Sequence, residues 1–134
     1  MNSFCLKIVT PDGVQFDGMA EELIVRTTTG DIGILAGHIN CVAALGMGRA
    51  TVMIEGKKRY GACIGGMVSV MNGLVTLVPT TFEWADDIDP ERAERSQQRA
   101  EAILKTQGIS DTEVKLAEAR MKRALVRKSV ANTK

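Results

Sequence analysis

Short runs that alternate between apolar and polar residues fill the first part of the chain, and this period of two predicts β-strands. The first strand covers Phe4–Ile8 and leads to a turn at Pro11–Gly13, where Pro presets φ and Gly tolerates a positive φ. Val14–Phe16 repeats the pattern before a second predicted turn at Asp17–Gly18, and Leu23–Val25 is a short buried run. Many short strands at regular spacing favour an antiparallel sandwich or barrel.

Two β-hairpins are predicted farther along, each with a glycine-containing turn between two β-prone runs. They comprise Thr51–Ile54 with Arg59–Ile64, and Met67–Met71 with Leu74–Val78. The turn at Asn72–Gly73 in the second hairpin is typical of type I′ geometry. Gly61–Thr81 carries no charge and is long enough to span a bilayer, but its glycines and its turn favour two buried strands over a membrane helix. The N-terminal residues lack the features of a signal peptide.

From residue 85 onward the apolar period becomes that of helices. Asp89 is placed to cap a first helix that starts with Pro90, and Gly108 is placed to end it. Ser110 and Glu113 form a capping box for a second helix. The stripes expected to pack are Ala93, Ala100, Ile103 and Leu104, and Val114, Ala117, Met121, Ala124 and Leu125. Because apolar burial stabilises by roughly 25 cal/mol per Å², these Ala-rich stripes predict a weakly held hairpin, either a movable element or a plain helical cap.

Glycine divides the chain at the same place. Of 13 glycines, all except Gly108 lie at or before position 73. Glycine suits tight turns and is unfavourable inside helices. We therefore expect two domains, a β-sandwich over residues 1–84 and an antiparallel two-helix hairpin over residues 85–134.

The composition excludes several classes of function. With 17 Lys and Arg against 16 Asp and Glu, the net charge of +1 argues against a nucleic-acid-binding protein. His38 is the only histidine, and Cys5, Cys41 and Cys63 form no CxxC pair, so no metal site is expected. The sequence has neither a GxSxG nor a Walker-type motif, so no catalytic residues are expected. Three dispersed cysteines suit a reducing compartment, where a buried Cys acts as a small hydrophobe.

Charge is unevenly distributed over the helical part. Residues 86–118 carry five basic and nine acidic residues, whereas residues 119–134 carry six basic residues and no acid. Arg120, Arg123 and Arg127 fall on one helical face. This basic end either meets an acidic protein, a phosphate or an anionic lipid surface, or is a solvated tail.

Four segments resemble the epsilon subunits of F-type ATP synthases, and the similarity runs over essentially the whole chain. They are Thr10–Gly13, Gly30–His38, Gly65–Val70 and Ile88–Ala93. Two positions depart from the pattern. Asn40 stands where that family usually has Pro, and Met67 stands where it usually has Phe.

The resemblance implies a flattened antiparallel β-sandwich of about ten strands, followed by a two-helix C-terminal hairpin. It implies a non-catalytic subunit of the rotating central stalk that binds the gamma subunit and the ring of membrane c subunits. Such a subunit is peripheral on the cytoplasmic face of the cell membrane and has no span of its own. Asp31 and His38 match the region that contacts the c-ring, although a single His in a loop also serves structural roles.

The same resemblance implies that the hairpin moves. When compact, it lies against the sandwich. When extended, it inserts between gamma and the catalytic alpha and beta subunits and blocks ATP hydrolysis. The residues implied to contact an acidic segment of beta are Arg120, Lys122, Arg123, Arg127 and Lys128.

Some bacterial members of this family bind ATP in the compact state. Ile88, Asp89, Arg92 and Ala93 match the motif for this, and Glu83, Arg99, Arg123 and Arg127 are added by proximity or helical face. Arginines pair with phosphates bidentately, while Asp89 either accepts a hydrogen bond from the adenine amino group or only caps the helix. ATP is thus expected as an optional regulatory ligand, and no cofactor is required.

Overall fold

The computed structural model describes residues 2–133, which form ten strands and two α-helices. The strands are β1 (Phe4–Thr10), β2 (Gly13–Ala20), β3 (Glu22–Thr27), β4 (Gly30–Leu35), β5 (Cys41–Ala44), β6 (Met47–Ile54), β7 (Lys57–Ile64), β8 (Met67–Met71), β9 (Leu74–Val78) and β10 (Thr81–Trp84). Sheet 1 has the order β2–β1–β9–β8–β5, and sheet 2 has the order β10–β7–β6–β3–β4. Paired strands are antiparallel except β1 and β9. The predicted β-sandwich with a C-terminal helical pair is confirmed.

Both predicted hairpin turns form. Glu55 and Gly56 join β6 to β7 with φ values of 51° and 77°, and Asn72 and Gly73 join β8 to β9 with 51° and 85°. Two positive φ values are the mark of a type I′ turn, whose twist matches that of the flanking strands. The uncharged stretch is accordingly strand and turn. Within residues 2–133, no helix is long and apolar enough to cross a membrane.

The predicted turn at Asp17–Gly18 is wrong. β2 runs through both residues to Ala20 and pairs with β1 along that length. Gly18 serves a packing purpose in the strand, because a Cβ at this position would lie 3.3 Å from Cζ of the Phe16 ring. The glycine therefore makes room for an aromatic side chain instead of reversing the chain.

The inner faces of the two sheets enclose one largely aliphatic core. Its biggest fully buried side chains include Leu6, Ile8, Leu23, Ile34 and Leu77. Phe82 and Trp84 close it with an edge-to-face contact, with ring centroids 4.9 Å apart. Cys63 is buried in this core, and burial raises the pKa of its thiol to about 12, so it acts as a packing residue.

The helices α1 (Pro90–Lys105) and α2 (Asp111–Ala131) begin where their capping signals predict. Asp89 Oδ1 accepts hydrogen bonds from the backbone N–H groups two and three residues later, at 3.0 and 3.2 Å. Ser110 Oγ accepts from the N–H of Glu113 at 3.2 Å. These side chains satisfy donors that the first turn of a helix leaves free.

The end of α1 differs from the prediction. The helix stops at Lys105, and Thr106 caps it in an extended conformation, with its hydroxyl donating to the carbonyl of Ala102 at 2.9 Å. Gly108 lies two residues later with a φ of 80°. It therefore shapes the turn between the helices, while Thr106 ends the first one.

The two helices pack through small side chains. Their buried alanines are Ala93, Ala100, Ala117, Ala124 and Ala131. Leu125 is predicted on this stripe but is 42% exposed. The reason is that α2 buries a seven-residue series of alanines, and Leu125 lies about 100° around the helix from that series.

The C-terminal part of α2 also packs on the outer face of sheet 2. A cluster separate from the sandwich core holds it there, consisting of Ala62, Ala85, Ile88, Val130 and Ala131. Three of these five side chains are single methyl groups. The hairpin is therefore attached by much less apolar area than holds the two sheets together.

Candidate functional site

A basic groove of about 380 Å³ runs between sheet 2 and the helical hairpin. The sandwich contributes Ile64, Thr81 and Glu83, and the hairpin contributes Ser96, Arg120, Arg123, Ala124 and Arg127. Three guanidinium groups face one carboxylate, which leaves the groove positive. This charge and the planar donors of arginine suit an anion such as a phosphate.

An ion pair between Glu83 and Arg127 joins the sandwich to the hairpin at this groove. Arg127 Nε lies 2.8 Å from Glu83 Oε1, and Arg127 Nη2 donates to Glu83 Oε2 at 3.2 Å. The Arg127 side chain is only 21% exposed, so water screens this pair less than a fully exposed one. One hydrogen bond and one close charge contact thus link α2 to β10 at this groove.

A second set of polar contacts joins the two helices to each other. Lys128 forms an ion pair with Glu94 of α1 and donates to Gln97 Oε1 at 3.2 Å. The hydrogen bond from Lys128 lowers the pKa of Glu94 below its ordinary value. Lys128 is thus engaged within the compact hairpin.

A second groove of about 320 Å³ continues from the first along α1. It is lined by Ser96, Arg99, Ala100, Ile103 and Arg120. Ser96 and Arg120 line both grooves, so the two are neighbours. Of the residues predicted for ATP, Glu83, Arg123 and Arg127 share the first groove, and Arg99 lies in the second.

Ser96 and Arg120 are lining residues that sequence reasoning did not assign to the nucleotide. Helical spacing carries a signal for both. Ser96 precedes Arg99 by three residues and Arg120 precedes Arg123 by three, so each shares a helix face with a predicted residue. The spacing of three residues along each helix would therefore have identified Ser96 and Arg120 as well.

The ATP-motif residues do not line either groove. Ile88 and Ala93 are buried at 3% and 0% exposure, and Ile88 belongs to the cluster that attaches the hairpin. Asp89 uses its carboxylate to cap α1, and Arg92 is exposed. In this structure Asp89 therefore acts as the N-cap of α1. A nucleotide-binding role for the motif stays a prediction.

Asp31 and His38 lie at opposite ends of the sandwich. Asp31 is near the β3–β4 turn, where its carboxylate pairs with Arg26 Nε at 2.8 Å. His38 follows the other end of β4, about 13 Å farther along the strand. Its Nδ1 lies 2.8 Å from the carbonyl oxygen of Ile39. A single end of the sandwich therefore presents only one of the two predicted ring-contacting residues.

The outer face of sheet 1 carries half-exposed apolar side chains on either side of a polar row, a feature that the sequence analysis did not predict. Met19, Val42, Met67, Met71, Leu74 and Val78 are all 45–57% exposed. The register places Met19, Cys5, Leu74 and Met71 in one row across four strands. The next row on this face is polar and consists of Asp17, Lys7, Thr76 and Ser69. A signal was available, because β8 and β9 are apolar at every position except the central Ser69 and Thr76, instead of alternating strictly.

Two family models match adjoining parts of the chain. The model described as ATP synthase, Delta/Epsilon chain, beta-sandwich domain matches residues 3–85, and that described as ATP synthase, Delta/Epsilon chain, long alpha-helix domain matches residues 86–132. The chain belongs to the ATP synthase delta/epsilon family. Within it, the ATP synthase epsilon chain of Ruminococcus albus is 44% identical with 100% of both chains covered, and that of Bacillus velezensis is 38% identical with 98% of each covered.

Solved structures of ATP synthases contain chains with the same delta/epsilon fold. One is in the Euglena gracilis mitochondrial ATP synthase with OSCP, F1 and c-ring, at a TM-score of 0.83 and 23% identity, covering 95% of this chain and 80% of that one. Another is in the central stalk and c-ring of the Tetrahymena thermophila mitochondrial enzyme, at a TM-score of 0.62 and 13% identity, covering 95% of each. At these identities the likeness concerns the fold.

Acid should loosen the hairpin through Glu94. Its pKa is lower in the folded chain than the ordinary value of 4.5. The contact with Lys128 therefore stabilises the hairpin above that value, and this stabilisation is lost as the pH falls through the folded pKa. Hydrogen exchange of α1 and α2 amides, corrected for intrinsic rates, should therefore show reduced protection on acidification. Glu94→Gln should weaken this pH dependence, whereas the exposed control Glu91→Gln should retain it. Equal pH dependence in Glu94→Gln and the wild type would contradict the assignment.

Proposed function

We propose that this chain is a non-catalytic subunit of the central stalk of an F-type ATP synthase, where it couples the catalytic head to the c-ring. The observation that carries the proposal is the family match across both halves of the chain, with epsilon-chain relatives aligned over their full length. Its partners are the gamma subunit and the c-ring, with alpha and beta contacted by the hairpin. It is held through these partners at the cytoplasmic face of the cell membrane.

The apolar outer face of sheet 1 is the proposed binding surface for gamma. Rows of exposed apolar side chains beside polar ones on one face are typical of protein–protein interfaces. The hairpin packs on sheet 2 and leaves this face free. The subunit can therefore hold gamma with one sheet while the other sheet carries the movable element.

A charge in this face should weaken assembly. We expect Met71→Glu to reduce affinity for ATP synthase depleted of this subunit by about tenfold or more, because binding would bury an unpaired carboxylate. Leu125→Glu, which charges an exposed leucine on the hairpin, is the matched control and should bind like the wild type in an affinity titration. Wild-type affinity in Met71→Glu would exclude this face as the gamma surface.

The hairpin is proposed to inhibit ATP hydrolysis by extending away from the sandwich. Its small attachment cluster supports a low cost of release. In the compact arrangement Arg127 and Lys128 are paired within the chain. Both must leave these partners before they can contact an acidic segment of beta, so their intramolecular pairs oppose inhibition.

Glu83→Gln should therefore increase inhibition. Removing the negative charge that pairs with Arg127 favours the extended hairpin, and we expect ATP hydrolysis by the reconstituted complex to fall by up to about fivefold. A chain lacking residues 87–134 sets the uninhibited rate, and Asp87→Asn is the control for loss of an exposed acid nearby. Unchanged hydrolysis in Glu83→Gln would show that this ion pair does not restrain the hairpin. A truncated chain no more active than the intact one would refute the inhibitory role.

An ATP-sensing role is a second candidate, which the basic groove between sheet 2 and the hairpin favours. A phosphate chain paired with arginines of both grooves would bind only the compact arrangement, because the sandwich and the hairpin each supply part of the wall. Such a ligand would stabilise that arrangement by mass action. ATP would act here as a ligand, and its hydrolysis would take place elsewhere in the complex.

Calorimetry of the isolated chain with ATP tests this role. Arg123→Ala should weaken binding by about tenfold or more, since Arg123 lines the groove while Arg127 is already paired with Glu83. Arg95→Ala removes an exposed arginine that lines a different surface of α1 and should bind ATP like the wild type. Absence of heat at millimolar ATP, or equal affinities in the two variants, would reject the groove as the site.

A further inference from the structure

The segment that links β4 to β5 crosses from sheet 2 to sheet 1 at one end of the sandwich. It covers residues 36–40 and carries His38 and Ile39. The side chain of Ile39 is 77% exposed, more than any other large apolar side chain of the described residues. A loop that holds such a residue in water needs a firm attachment if it is to present the residue in one place.

Asn40 attaches this loop to the turn between β8 and β9. Asn40 Oδ1 accepts a hydrogen bond from the backbone N–H of Asn72 at 2.8 Å, and Asn40 Nδ2 donates to Asn72 Oδ1 at 3.3 Å. The ladder between β5 and β8 ends one step earlier, at Cys41 and Val70. The Asn40 side chain therefore continues the strand pairing beyond the point where the backbone ladder stops.

Asn72 offers a donor that its own hairpin cannot use. It is the first residue of a two-residue turn and has a φ of 51°. In such a turn the N–H of the first residue points away from the hairpin and has no partner within it. Asn40 takes up this free donor, so the pairing replaces a contact with water and does not compete with the hairpin.

The other hydrogen bonds of the loop shape it without attaching it to this turn. The N–H of His38 donates to the carbonyl of Leu35 at 3.1 Å, and the His38 ring contacts the carbonyl of Ile39 at 2.8 Å. All of these groups lie in the loop or at the end of β4. Among the side-chain hydrogen bonds of the described residues, those of Asn40 are the ones that tie the loop to β8 and β9.

We propose that Asn40 is a positioning residue that clasps the loop to the β8–β9 turn and thereby fixes His38 and Ile39 for contact with the c-ring. The contact itself rests on the proposed function, whereas the clasp does not. Pro, which the related pattern has at position 40, restrains φ but offers no side-chain donor or acceptor. This chain thus holds the loop by a side-chain pair where a Pro would hold it by backbone stiffness.

Hydrogen exchange by NMR on the full chain tests the clasp. Asn40→Ala should speed exchange of the Asn72 amide by about tenfold and also speed exchange within residues 37–39, with little change in Tm because the site is exposed. Asn40→Asp keeps the Oδ1 acceptor and should retain protection of that amide. Asn2→Ala, which removes an exposed Asn near the start of β1, is the control and should leave the amide unchanged. Wild-type exchange in Asn40→Ala would overturn the proposal.

Binding to c-ring-containing ATP synthase depleted of this subunit tests the use of the clasp. We expect Asn40→Ala to bind about three- to tenfold more weakly, with Asn40→Asp and Asn2→Ala close to the wild type. Faster loop exchange with unchanged binding would overturn the positioning role. If the wild-type chain itself does not bind, the proposed function fails, and the exchange result still decides whether the clasp holds the loop.

Discussion

The contact between α2 and sheet 2 determines how the helical hairpin lies against the β-sandwich. The two-residue period of β10 sets it up, because Phe82 and Trp84 point into the core while Glu83 points outward beside Ala62. The same strand that closes the sandwich therefore supplies the acceptor for Arg127. Beside this pair lies the apolar cluster, in which three of the five buried side chains are alanines, so a charge contact and a modest apolar area act together to hold α2.

The groove beside that contact makes the two proposed activities exclude each other. Arg123 and Arg127 line the groove in the compact arrangement, and both are also proposed to contact beta after extension. One guanidinium group cannot pair with a phosphate in the groove and with an acidic segment of another subunit at once. ATP binding and inhibition would thus be coupled with opposite sign, and the coupling would act equally in both directions.

The β-hairpin turns and the helix N-caps could be predicted from local sequence, whereas features set by distant residues could not. Asn72–Gly73 and the capping residue Asp89 act through their own backbone neighbourhood, and both predictions are confirmed. Asp17–Gly18 carries a similar turn signal, yet the ladder with β1 and the ring of Phe16 decide its structure. The basic groove could be predicted only in part, since its walls come from β10, α1 and α2, and only spacing within each helix is visible in the sequence.

The two outer faces of the sandwich differ in a way that would allow the proposed movement of the hairpin while the subunit stays bound. Sheet 1 exposes long apolar side chains such as Met71 and Leu74, which suit a lasting contact with another protein. Beneath the hairpin, the sandwich presents Ala62 and the partly buried Tyr60, and the segment that leads to α1 adds Ala85 and Ile88. Release of α2 would expose this one small cluster and would leave the face of sheet 1 unchanged. In this view, small side chains under the hairpin are a requirement of a reversible attachment, because larger ones would make its release costly.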